Sequence, residues 1–198
     1  MSLVLDPAAQ DLLFREAHTA QKFSSEPVTE EQLKAVHDLV KFGPTAFNQS
    51  PLRVTLVQSP EARTRLVELL MDGNKAKTAT APVVAILSAD AEFHEELDTL
   101  LPAIPNAKDM FFSERPVRER SALANAQLQA AYFIIGLRAA GLAAGPMTGA
   151  DMEGIRKEFL GDDHLPLMVV NIGHPTTEEG AHYPRAPRLS YEQVFTTV

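Results

Sequence analysis

Apolar positions set the element pattern. Leu33, Val36, Leu39 and Val40 share one face of a helix that Thr29 and Gln32 open as a capping box and Gly43-Pro44 stops. Asp6-Pro7 predicts an earlier helix, running to about Thr19. Alternation over Arg53 to Gln58 predicts a strand. Ser59-Pro60 then caps a helix carrying Leu66, Leu69 and Leu70. Val83 to Leu87 is an unbroken apolar run, as expected of a buried strand, and Glu92 to Leu101 suits a short helix. Pro102 to Ser113 is the least regular stretch. A long helix is predicted from about Val117 to Ala140, apolar over much of its circumference after Ala126, so it should pass through the core. Asp151 to Leu160 reads as a helix and Leu167 to Ile172 as a third buried strand. The tail from Tyr183 is basic and proline-rich, then helical from Ser190. Periodicity alone therefore supports one helix-rich domain over residues 1–198 with at least three strands, mixed α/β or α+β.

Composition narrows the function. The 198 residues include no cysteine, which excludes a disulfide scaffold, cysteine-ligated zinc, iron–sulfur clusters and a thiol nucleophile. Lys and Arg total 18 against 26 Asp and Glu, a formal charge of −8, so the basic footprint of a sequence-independent nucleic-acid binder is missing. The apolar run Ala130 to Leu137 is far short of the roughly 20 residues of a membrane span. The first residues lack a basic start and an apolar run, so a soluble, cytoplasmic protein is expected, with neither nucleic-acid nor membrane partners. No G-x-G-x-x-G, Walker loop or G-x-S-x-G occurs. His94 and Asp98 lie one helical turn apart, but no third metal ligand is evident beside them, and no metal is expected.

Four stretches carry residue types that chemistry uses. Phe42 to Arg53 sets Thr45, Asn48, Gln49 and Ser50 between two prolines; such types face ligands or simply make turns. Gly73 to Lys77 reads as a helix C-cap with solvated lysines, or as a loop presenting Lys77 to an anion. Gly145 to Gly149 lets a flat ligand approach backbone amides, or forms a tight loop. Arg185 and Arg188 suit a phosphate, or a solvated tail.

Read in order, KFGPTAFNQSP, GNKAKTATAPV, LQAAYFIIGLRAAGLAAGPMTG and PRLSYEQ resemble the nitroreductase family of flavin enzymes, and within it the malonic semialdehyde reductase branch. The resemblance implies an α+β fold with a central, mostly antiparallel sheet surrounded by helices, in an intertwined homodimer holding FMN at the subunit interface. By that likeness His18 and Thr19 fall in the phosphate-binding stretch, and Gln21 falls where a basic residue commonly meets the flavin pyrimidine edge. Pro44, Thr45, Ala46 and Asn48 match the loop that the partner subunit lays on the flavin. Asn74 and Lys77 match the pair facing O2 and N1, and Thr148 and Gly149 the loop whose amides point at N5 and O4. Arg188 matches the phosphate arginine near the C-terminus, with Arg185 assisting.

The implied activity is hydride transfer from NAD(P)H through FMN to a small acceptor, malonic semialdehyde giving 3-hydroxypropionate. No side chain is required as an acid or base. Arg53 is a candidate partner for the substrate carboxylate, or a strand-edge surface arginine. Pro102 to Arg118 is a candidate cover over the flavin, or a satellite hydrophobic cluster. Ala17, His18 and Gln21 leave fewer cations near the phosphate than many relatives have, which shifts the expected burden to Arg188. Two alternatives stay open: a nitroaromatic or quinone reductase of the same family, and a flavin-free binding protein that keeps the fold.

Overall fold

The computed structural model describes residues 3–198. In chain order its elements are α1 (Pro7–Gln10), α2 (Glu30–Val40), β1 (Leu52–Val57), α3 (Pro60–Glu68), α4 (Asp72–Thr80), β2 (Val83–Asp90), α5 (Leu97–Leu100), α6 (Ala107–Phe112), α7 (Arg115–Ala139), β3 (Ala143–Met147), α8 (Met152–Ile155), β4 (His164–Gly173) and α9 (Tyr191–Val194). The strands form one antiparallel sheet in the order β1-β2-β4-β3. The fold is α+β.

The central strand β2 explains the unbroken apolar run. Ala85 and Leu87 face α7, where they join Ala130, Phe133 and Leu137, with Val36 of α2 alongside. Val84 and Ile86 face the other way, onto Leu66 of α3, Leu70 and Ile155 of α8. A strand covered on both faces has no polar side to alternate with. Gly136 lets α2 lie close against α7: a Cβ there would stand 2.3 Å from Val40 Cγ1. A third cluster, around Phe93, Leu97, Phe112 and Ala122, fastens α5 and α6 to the start of α7.

Several boundaries differ from the sequence pattern. The first helix does not reach Thr19: a wider helical turn over Asp11–Arg15 ends it, and the chain has no regular secondary structure from residue 18. Pro102 to Ser113 is not wholly irregular, because α6 occupies half of it. Gly73 to Lys77 lies inside α4 rather than at a C-cap, since the helix begins after Met71. Gly145 to Met147 belongs to a fourth strand, not a loop. Pro146 is tolerated because β3 is an edge strand with only β4 beside it. No helix among the described residues is long and apolar enough to cross a membrane.

Candidate active site

The stretch from His18 to Ser24 has no regular secondary structure and is held by three backbone hydrogen bonds, one of them to β3. Ala20 N donates to Ala144 O at 3.0 Å, Gln21 N to Ala181 O at 2.8 Å and Ser24 N to His174 O at 3.0 Å. Close approach requires glycine at 145, where a Cβ would sit 2.7 Å from the Ala20 carbonyl oxygen. Thr19 is exposed, and Gln21 is half-buried with its side chain turned toward α4.

Helix α4 presents Asn74 and Lys77, three residues apart and so on one face. Asn74 Nδ2 donates to the Gly149 carbonyl at 2.9 Å, and Met71 N donates to the same oxygen at 3.0 Å. A Cβ on Gly149 would stand 2.8 Å from Asn74 Nδ2, so that glycine is needed to seat the asparagine. Lys77 Nζ donates to Gln21 Oε1 at 3.1 Å, and burial lowers the ammonium pKa. Thr148 is exposed at the end of β3, next to Gly149.

Beneath this face lies a buried polar pair that sequence reasoning missed. Asn171 Nδ2 donates to Thr78 Oγ1 at 3.0 Å, and Thr78 Oγ1 reaches Met147 Sδ at 3.7 Å. It ties α4 to β4 and β3. The available signal was an asparagine inside the apolar run Leu167 to Ile172.

The C-terminal stretch returns to the same region. Arg185 donates to the Ala17 carbonyl at 2.9 Å and lies 3.3 Å from His18 Nε2. The His18 ring stacks on His182 with centroids 3.9 Å apart. Arg188 donates to the carbonyls of Ala186 and Pro187 in its own turn. The contacts form three sets, Lys77 with Gln21, Asn74 with Gly149, and Arg185 with Ala17 and His18 beside His182, with Thr19 and Thr148 adjacent in sequence.

Pro44, Thr45, Ala46 and Asn48 lie elsewhere. Their loop leads into β1, whereas Thr148 and Gly149 follow β3, and these strands are the two outer edges of the sheet. Ala46 N donates to Asn125 Oδ1 at 2.7 Å and Asn48 Nδ2 to Leu100 O at 2.8 Å. Gln49 is buried and accepts from Ser121 at 3.0 Å. Phe47, Asn48 and Ser50 all have positive φ, at 55°, 49° and 42°. Left-handed backbone at three non-glycine residues in so short a span is costly, and it concentrates where structure over-determines it. The loop borders a cleft of about 890 Å³ walled by Val40, Phe42, Pro44, Leu56 and Phe133. Arg53 also lines this cleft, but its guanidinium pairs with Asp90 at 2.7 Å and donates to the Ser50 and Leu52 carbonyls.

His94 stands with Glu92 and Glu95, each offering one ligand atom within 4.8 Å of the others, a grouping that the spacing of His94 and Asp98 did not suggest. It faces Glu92 and Glu95, and those carboxylates are already paired with Arg118 and Lys108, each at 2.8 Å.

The domain is α+β, with Asn74 and Lys77 of α4 gathered near the end of β3 at the Gly149 turn. The nitroreductase family model matches residues 14–174, and the chain belongs to the nitroreductase family. A Streptomyces coelicolor protein named as an NADH dehydrogenase/NAD(P)H nitroreductase is 72% identical over 198 residues, covering all of both chains. Among solved structures, a Bacillus subtilis nitroreductase superposes with TM-score 0.84 at 21% identity, over 98% of this chain and 100% of its own. An Exiguobacterium sibiricum nitroreductase in complex with FMN superposes with TM-score 0.82 at 17% identity, over 100% and 99%.

Proposed function

We propose that the chain is an FMN-dependent oxidoreductase that takes hydride from NAD(P)H and passes it to a small organic acceptor. The observation that carries this reading is the Lys77–Gln21 and Asn74–Gly149 pairing beside His18 and Arg185. Its donor set suits FMN: cations at one end for a phosphate, amides and an ammonium at the other for the oxygens of a flavin ring. When bound, the flavin supplies a two-electron carrier at N5. Lys77 holds a positive charge where the pyrimidine edge would lie, which favours the anionic reduced form.

Two chains are needed to complete this site. Pro44 to Asn48 stand at the opposite sheet edge from Lys77, so a homodimer in which each loop serves the other subunit's flavin is the reading that uses both groups of residues. The exposed Phe42 and the cleft beside it give such a partner an apolar surface to cover.

For the acceptor, the sequence resemblance favours malonic semialdehyde. The names of the relatives favour nitroaromatics. The commitment of Arg53 to Asp90 bears on the choice, because a semialdehyde carboxylate would need a different cation. Anaerobic addition of NADPH to the purified protein tests the common core. A yellow protein that bleaches, and regains colour with malonic semialdehyde or a nitroaromatic, supports the reading and ranks the acceptors. A protein that is colourless and takes up no added FMN returns the chain to the flavin-free alternative.

A further inference from the structure

The loop before β1 is clamped at both ends by one face of α7. Ser121, Asn125 and Gln129 recur every four residues and so share that face. Asn125 Oδ1 accepts from Ala46 N at 2.7 Å, and Gln129 Oε1 accepts from Leu52 N at 2.9 Å. Phe47, Asn48 and Ser50, with their positive φ, all lie between these two anchored amides. Among the described residues Asn106 alone shares that conformation without being glycine.

The first anchor belongs to a closed ring of hydrogen bonds. Asn125 Nδ2 donates to the Ser121 carbonyl at 2.9 Å, Ser121 Oγ donates to Gln49 Oε1 at 3.0 Å, and Gln49 Nε2 donates to the Ala46 carbonyl at 2.8 Å. Ala46 is thus gripped by both of its backbone groups although the residue is exposed. The ring also fixes how each amide points: Asn125 Oδ1 must face an N–H, and Gln49 Nε2 must face a carbonyl. Gln49 and Asn125 are 1% and 6% exposed, so a broken link leaves a buried polar atom with no water to replace the partner. Left-handed backbone at non-glycine residues persists where its surroundings over-determine it, and this ring does so. The neighbouring inward residues of α7, Ala122, Ala126 and Ala130, serve the core; the polar set serves the shape of the loop.

We propose that Gln49, Ser121 and Asn125 are positioning residues that hold Pro44 to Asn48 in the shape in which this loop meets the partner subunit's flavin. They act through the loop backbone and not on the flavin itself. The proposal rests on the flavin reading for what the loop meets. The full-length protein is compared as wild type, Asn125→Ala, Ser121→Ala, Ser121→Thr and Ile155→Val. Ile155 packs on the opposite face of the sheet from α7, so its variant controls for lost stability alone. Three quantities are read: exchange of the Ala46 amide proton by NMR in flavin-free protein, FMN affinity by fluorescence, and the visible circular dichroism of bound FMN. In Asn125→Ala and Ser121→Ala, Ala46 should exchange at least tenfold faster, FMN affinity should fall about tenfold and the dichroic band should change shape. Ser121→Thr, which keeps the hydroxyl, should restore all three, and Ile155→Val should leave them at wild type.

Faster exchange with FMN affinity and the dichroic band unchanged overturns the proposal, because the loop is then loosened without consequence for the flavin. Exchange as slow as wild type in both ring variants overturns it too, as does an equal loss in Ile155→Val. A wild type that takes up no FMN removes the flavin reading and the proposal with it, whatever the exchange rates. Ser121 is half-buried, so its two variants decide the matter if the buried Asn125→Ala fails to fold.

Discussion

Lys77 Nζ and Gln21 Oε1, from residues 56 positions apart, meet at 3.1 Å and join α4 to the stretch from His18 to Ser24. The glutamine accepts one ammonium proton and leaves two donors for a ligand. Partial burial already lowers the Lys77 pKa, so the site holds a charge that an anionic flavin would stabilise. Lys77→Met should therefore make the flavin harder to reduce. We expect a more negative two-electron potential and about a tenfold slower reduction by NADPH, equivalent to roughly 1.4 kcal/mol. A spectroscopic redox titration and anaerobic stopped flow measure the two quantities. An unchanged potential in flavin-loaded Lys77→Met would remove Lys77 from the flavin edge.

Gly149 is expected to be intolerant of even one methyl group. An added Cβ meets Asn74 Nδ2 at 2.8 Å and Met71 Sδ at 3.2 Å, so Gly149→Ala must push the asparagine off the carbonyl that it now caps. Methionine gives way easily and a hydrogen-bonded amide does not. We expect a stability loss of about 1–2 kcal/mol by urea unfolding. Asn74→Ala should lose less stability, because Met71 N still donates to the same oxygen. Gly73→Ala, with nothing within 4 Å of its Cβ and a place inside α4, should be neutral or stabilising.

How far the sequence showed these features follows from which forces were local. The capping box at Thr29 and Gln32, the helix of 25 residues in α7 and the buried strands β2 and β4 are written in periodicity and caps. Strand β3 was not, because Ala143 to Met147 contains a glycine and a proline and pairs on one side only. Its glycine answers to the Ala20 carbonyl, a contact 125 residues away that no window along the chain contains. Four ordered words in the sequence marked candidate site residues without their geometry. Sequence could not tell that Pro44 to Asn48 and Lys77 would stand at opposite edges of the sheet, or that Arg138 would be half-buried with no carboxylate paired to it among the described residues.

The phosphate end should depend on Arg185 more than the tail sequence suggests. Arg185 touches the Ala17 carbonyl and His18, while Arg188 satisfies carbonyls of its own turn. We expect Arg185→Ala to weaken FMN retention about tenfold, the order of one charge-assisted contact to phosphate, and Arg188→Ala to weaken it less. Flavin fluorescence during dialysis compares them directly. The reverse order would assign the phosphate to Arg188.

His18 should report occupancy through its titration. Its pKa lies below 6.5 because of burial first, then the charges of His182 and Arg185; the Tyr183 backbone contact and Glu16 act in the opposite direction. A depressed histidine favours the neutral form, so its contribution to folding is present above pH 6.5 and is lost as pH falls through the folded value. A bound dianion reverses the balance by attracting a proton. The His18 Cε1–H resonance should titrate below pH 6.5 in the stripped protein and move upward in pH on adding FMN. A midpoint unaffected by FMN would separate His18 from the phosphate.

Phe47 links the strained loop to the segment that sequence left unassigned. Its ring packs against Phe111 at 5.1 Å and Phe112 at 5.4 Å, and Phe112 continues inward to Phe93 at 5.0 Å. Phe112 is buried, whereas Phe47 and Phe111 are partly exposed beside Asn48 and Met110. One ring therefore anchors α6 to the core and another faces outward next to the loop proposed to meet the flavin. Removing the outer ring should reshape the acceptor space and leave the core intact. We expect Phe111→Ala to change the ratio of kcat/KM for a nitroaromatic over an aliphatic aldehyde by about fivefold, a loss of roughly 1 kcal/mol of ring packing against the acceptor. FMN retention should stay constant, and Phe112→Ala should instead lower stability by about 3–5 kcal/mol. Steady-state kinetics with both acceptors and thermal unfolding separate the two roles. An unchanged acceptor ratio in Phe111→Ala would leave α6 as a purely structural cluster.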